Sequence, residues 1–125
     1  MLQYSWKAWV PKRGEIYLVD LGDTIDSEMA GLRPFLILSN DIGNKNASIV
    51  SGLPLSTRNK PLPIHVSISR NYGLRIDSYA LTEHIRSVSK RRFCNNDMPK
   101  FVGKLSKNKM KEIERAIMIQ LGMTS

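Results

Sequence analysis

The amino-acid sequence predicts a small β-barrel closed by a C-terminal amphipathic helix. Three observations carry that expectation. Five or six short apolar or alternating runs follow one another closely between Glu15 and Val88. Clusters of Gly, Pro, Asn and Asp separate them, and the hydrophobic period changes from two to three and four only near the C-terminus. With 125 residues, 42% of them hydrophobic and 24% charged, the chain is long enough to bury one core without covalent staples. The expected organisation is a single domain over residues 11–125, preceded by an appendage at 1–10.

The appendage contains Trp6 and Trp9 and ends at Pro11, whose fixed φ and missing N–H interrupt regular structure. The tryptophans are placed to cap the barrel, pad a dimer surface or stack on an aromatic partner, and packing is the expected role. Glu15 to Leu21 alternates and predicts a first strand. Gly22 to Leu32 is a polar loop longer than most hairpins use, a length that often carries function. Phe35 to Leu38 is continuously apolar, as in a strand buried on both faces. Asn40 to Asn46 is dense in turn formers, and Ala47 to Leu53 follows as a third strand. Pro54 to Pro63 is a proline-held loop. Ile64 to Ser69 and Ser78 to Thr82 predict strands four and five, and Glu83 to Val88 extends or succeeds the fifth. A helical turn is expected near Lys90 to Phe93, with Phe93 and Phe101 in the core, His65 at or near the surface and Cys94 incidental. Met110, Ile113, Ala116, Ile117, Gln120 and Leu121 fall at helical spacing. Ser106 is placed to cap that helix, Leu105 to staple onto Met110, and Gly122 to stop it.

Lysine and arginine exceed aspartate and glutamate by 19 to 11, a formal charge of +8. That balance favours a polyanionic partner, nucleic acid or an anionic membrane surface. No apolar stretch is long enough to span a bilayer, and the N-terminus lacks the layout of a signal peptide, so a soluble, cytoplasmic protein is expected. A lone Cys94 beside His65 and His84 offers neither a disulfide nor zinc-ligand spacing, so no metal or cofactor is expected.

One charge is out of place for strand packing. Arg33 stands at the mouth of an apolar strand, between Gly31 and Pro34, where its planar fork suits a phosphate. Two other features are candidates to join it: the hydroxyl pair Ser56-Thr57, and Glu83-His84-Ile85-Arg86. An arginine and a hydroxyl make no strong nucleophile at neutral pH without a base. RNA supplies its own, because its 2′-OH can attack the adjacent phosphorus. The protein then needs only to orient that attack and stabilise the charge that develops on phosphate.

Six segments, in order, resemble one family: Lys12-Arg13-Gly14-Glu15-Ile16-Tyr17; Ser27-Glu28 with Gly31-Leu32-Arg33-Pro34; Leu36 to Asp41; Leu53-Pro54-Leu55-Ser56-Thr57; Glu83 to Val88; and Gly103-Lys104-Leu105-Ser106. Together they look like the MazF/PemK type II toxins. The resemblance implies an SH3-like barrel of the CcdB/MazF type with a C-terminal helix, acting as a homodimer. It implies a metal-independent endoribonuclease cutting single-stranded mRNA at short sequences, to leave 2′,3′-cyclic phosphate and 5′-OH ends. It also implies a cognate antitoxin whose acidic, disordered segment occupies the RNA groove, with DNA bound in the antitoxin's company.

Carried over by position, Arg33 matches the family's catalytic arginine and Ser56 its catalytic threonine, with Thr57 as the neighbouring alternative. Ser27, Glu28, Glu83 and His84 match positions that touch RNA, and Arg86 matches a basic residue assigned to catalysis in the PemK branch. His84 replaces a glutamine common among relatives, and in the cleft it would serve as acid, base or stacking surface. Arg58 and Lys60, in the loop after the hydroxyl pair, are further candidates for RNA contact. Two alternatives stay open at this point: a CcdB-like topoisomerase poison that cuts nothing, and a nucleic-acid binder without catalysis.

Overall fold

A computed structural model describes residues 4–23, 25, 28–58, 60–94 and 97–124. The expected place of Ser27 lies outside the described residues. The strands are β1 (Glu15–Asp20), β2 (Leu32–Ile37), β3 (Ile49–Ser56), β4 (His65–Ile68), β5 (Ser78–Leu81), β6 (Arg86–Ser89) and β7 (Phe101–Lys104); the helices are α1 (Asp41–Asn46), α2 (Arg91–Cys94) and α3 (Lys107–Gln120). The strands form one curled antiparallel sheet in the order β4-β5-β3-β2-β1-β7, with β6 paired to β3.

Strand pleating sends alternate side chains to two apolar layers. Ile16, Leu36, Leu53 and Leu55 face one, where Leu105, Met110, Ile113 and Ala116 bring in the C-terminal helix. Tyr17, Val19, Phe35, Ile37 and Val50 face the other, closed by Trp9, Val88, Phe93 and Cys94. Phe35, Leu36 and Ile37 are each wholly buried, as a doubly covered strand requires. The helix α3 begins as its sequence predicts, with Ser106 Oγ accepting from the Lys109 N–H at 3.1 Å.

Several expectations are corrected. Asn40 to Asn46 is a helix and not an open turn, because Asn40 caps it by accepting from the Gly43 N–H at 2.8 Å. The third strand runs on through Pro54 to Ser56, so the proline-held loop starts later. A three-residue 3₁₀ turn at Thr82–His84 separates β5 from β6. The strand β7 has no alternation to announce it and forms by pairing with β1. Phe101 is 57% exposed, its ring edge-on to Tyr17 and not in the core. Cys94 is buried against Phe93's layer, and burial pushes its thiol up to about 11, with Lys90 pulling the other way.

Gly52 explains how tightly β3 crosses its neighbour. A Cβ there would lie 2.0 Å from the Leu36 carbonyl oxygen and 2.6 Å from the Phe35 ring, so only hydrogen fits.

Candidate active site

Two prolines open the sheet where the candidate residues stand. Pro34 and Pro54 have no N–H to donate, and the β2–β3 ladder stops at the Phe35–Pro54 pair. Beyond it β3 changes partner, pairing Leu55 with Ala80 and Ser56 with Tyr79 on β5. The start of β2 remains held by β1 through Val19–Arg33 and Leu18–Pro34. Arg33, Ser56 and Thr57 therefore border the opening between the two strands.

Arg33 is half-buried, and its Nε donates to the Ala30 carbonyl at 2.7 Å. That bond fixes the guanidinium plane; among the described residues no carboxylate pairs with it. The loop before it is closed at its base, where Leu21 N–H donates to Gly31 O at 2.9 Å and Gly31 N–H to Gly22 O at 3.0 Å. Within that loop the Glu28 carboxylate is exposed and accepts from the Ile25 N–H at 3.1 Å.

Pleat parity orders the remaining candidates. Phe35 and Pro54 are partners, so Arg33 and Ser56, each two residues away, share their sheet face. Arg86, opposite Gly52 on β6, shares it too. Ser56 is only 7% exposed and its Oγ accepts from the Arg58 N–H at 3.0 Å, which leaves its own proton free to donate. Thr57 is exposed and lies on the opposite parity, with Leu55. It lines a groove of about 760 Å³ that Arg33 also lines, together with Leu32, Arg75, Ile76 and Ser78. Arg33 thus shares a sheet face with Ser56 and a groove with Thr57. Arg86 is half-buried, and its Nη1 is a buried donor with no hydrogen-bond partner among the described residues.

Glu83 does not reach toward Arg33 but binds His65. The His65 Nε2 lies 2.8 Å from one carboxylate oxygen and 2.9 Å from the other, while Nδ1 faces the Lys60 carbonyl. Burial pushes the Glu83 carboxyl up, but the His65 hydrogen bond, a backbone bond and the two nearby histidines outweigh it, holding the group below its ordinary value. His65 is half-buried, as expected, with its side chain 5% exposed, and it ties β4 to the 3₁₀ turn. His84 is half-buried, and Arg58 and Lys60 are exposed in the loop that follows β3.

Sequence reasoning does not find His65 as the partner of Glu83, or Arg75 as a lining residue beside Arg33. Each depends on segments distant in the chain, and no local pattern marks them.

Residues 12–121 match the profile of the PemK-like, MazF-like toxins of type II toxin–antitoxin systems. The chain belongs to this toxin family. The toxin is 38% identical over 115 residues to the endoribonuclease MazF of Staphylococcus saprophyticus, covering 90% of this chain and 92% of that one. It is 33% identical over 117 residues to the endoribonuclease EndoA of Bacillus subtilis, covering 91% and 97%. Among solved structures, MazF from Deinococcus radiodurans superposes on the toxin with a TM-score of 0.77 at 23% identity, covering 92% and 99%, a likeness of fold. Among the described residues no helix is long and apolar enough to cross a membrane.

Proposed function

We propose that this toxin is an endoribonuclease that cleaves single-stranded RNA with the RNA's own 2′-OH as nucleophile. The observation that carries the reading is the opening in the sheet, where Arg33, paired with no carboxylate among the described residues, lines a groove with Thr57 and shares a sheet face with Ser56. In the reaction the 2′-oxygen forms a bond to phosphorus and passes its proton to water, which returns one to the leaving oxygen. The P–O5′ bond breaks, and the departing oxygen takes a proton to become a 5′-OH. Arg33 holds two non-bridging oxygens and stabilises the charge gathering on them. Ser56, whose oxygen is already anchored by the Arg58 amide, donates its hydroxyl proton to a third acceptor on the same phosphate. Thr57 bounds the path of the chain, and Arg86 supplies a further cation on the Ser56 face. Glu28, Arg58, Lys60, Glu83 and His84, with Ser27, are the RNA-contacting set.

The same reading assigns the partners. The relatives' family pairs each toxin with an antitoxin, and a charge of +8 suits both an acidic antitoxin segment and RNA in one groove. A homodimer, action in the cytoplasm and DNA binding in the antitoxin's company complete it. Incubating the purified protein with a long single-stranded RNA in EDTA and mapping the ends tests the core claim. Discrete cuts with cyclic-phosphate and 5′-OH termini, lost in Arg33→Ala, are expected; intact RNA, or cuts that persist in Arg33→Ala, overturn it.

A further inference from the structure

We infer that Arg75 is a second RNA-phosphate anchor, gripping the strand next to the scissile phosphate from a wall of the groove that Arg33 also lines. The inference rests on the ribonuclease reading above and extends its site to a residue in the loop before β5.

The wall carrying Arg75 is rigid. Gly73 adopts φ +97° and lies against β7 so closely that a Cβ would fall 2.0 Å from the Val102 carbonyl oxygen. Gly103 returns the contact, since its own Cβ would meet the Tyr72 carbonyl oxygen at 1.7 Å. Leu74 is buried in the helix-side core. Flanking polar groups lock the turn: Asp77 accepts from the Arg70 N–H at 2.9 Å, Ser69 from the Asn71 N–H at 3.1 Å, and Ser78 donates to the Ile76 carbonyl at 3.1 Å. Arg75 is exposed on this frame, lines the groove with Arg33 and Thr57, and makes no hydrogen bond or ion pair among the described residues.

Two guanidiniums on one groove, neither paired with a carboxylate among the described residues, create a site for a polyanion, not for a neutral ligand. A single phosphate satisfies Arg33. A chain of phosphates satisfies both, and exposed Leu32 and Ile76 beside them offer apolar surface to the intervening base. The geometry therefore assigns Arg75 to holding the strand and Arg33 to the reacting phosphate.

The test separates binding from cleavage. Binding of a 2′-O-methyl oligoribonucleotide, which has no free nucleophile, is measured by anisotropy across a salt series for wild type, Arg75→Gln and Arg75→Lys, with Arg115→Gln on the exposed side of α3 as the charge control. Cleavage of the unmodified RNA is measured in parallel. For Arg75→Gln we expect affinity to fall on the order of tenfold, the salt slope to shrink by about 0.7, and KM to rise with kcat unchanged. Arg75→Lys should recover most of the slope, and Arg115→Gln should change little. An Arg75→Gln protein with wild-type affinity and slope, or one no weaker than Arg115→Gln, overturns the anchor even if wild type cleaves normally. Wild type that binds and releases the oligonucleotide through Arg75 but cuts no RNA overturns the ribonuclease reading and leaves the anchor standing. Failure of wild type to bind at all overturns both.

Discussion

Arg33 owes its place to local chemistry on both sides: Pro34 ends the donor row of β2, and the Ala30 carbonyl holds Nε of the guanidinium fork. Lysine keeps the charge and loses that fork. Arg33→Lys is therefore expected to bind RNA within a few-fold of wild type while kcat falls by about 10²–10³, measured by single-turnover cleavage. Ser56 and Thr57 make the complementary comparison. If the anchored hydroxyl acts on phosphate, Ser56→Ala loses kcat, whereas Thr57→Ala chiefly raises KM; equal kcat losses would refute the division. Glu83 gives a prediction in pH. Its folded carboxyl sits below the ordinary 4.5, so its contribution to stability is complete above that value and is lost as pH falls through the lowered one. Denaturant melts of Glu83→Gln should show a stability deficit near neutral pH that shrinks as pH falls through the lowered Glu83 value.

At the scale of elements, the loop before β5 and the strand β7 hold each other through glycine contacts that no side chain can enter. Gly73→Ala strains the backbone and pushes against the Val102 carbonyl together. A loss of at least about 2 kcal/mol is expected, seen as a Tm lower by roughly 5–10 °C. Both elements were hard to read locally: β7 is four residues with one exposed phenylalanine, and its strand character comes from β1 beside it. The helix α3 was legible to its cap, because Ser106 and the spacing of Met110, Ile113 and Ala116 are local signals. The helix α1 was not, since one asparagine cap converts a turn-rich stretch into helix.

Across the whole molecule, the N-terminal segment is an integral part of the second core layer. Trp9 is 5% exposed, its ring 5.0 Å from Tyr17 and 4.8 Å from Phe93, and its carbonyl accepts from the buried Lys90 ammonium at 3.4 Å. The Lys90 ammonium also donates to the Asn44 carbonyl, so one buried cation joins the segment to α1; desolvation lowers its pKa, against a smaller opposing pull from Cys94. Trp9→Ala should cost about 3–5 kcal/mol by urea unfolding, whereas Trp6→Ala, at a half-buried ring flanked by Lys7 and Arg91, should cost much less. A toxin unaffected by Trp9→Ala would show that the segment is a true appendage. From the sequence alone come the fold class, the family and the candidacy of Arg33, Ser56 and Thr57, because period, turn chemistry and ordered motifs are properties of neighbouring residues. Only the tertiary structure decides which sheet face each hydroxyl occupies, that His65 binds Glu83, and that Arg75 lines the groove with Arg33. Those relations depend on pleat parity and strand register between distant segments, and a linear chain does not display them until it folds.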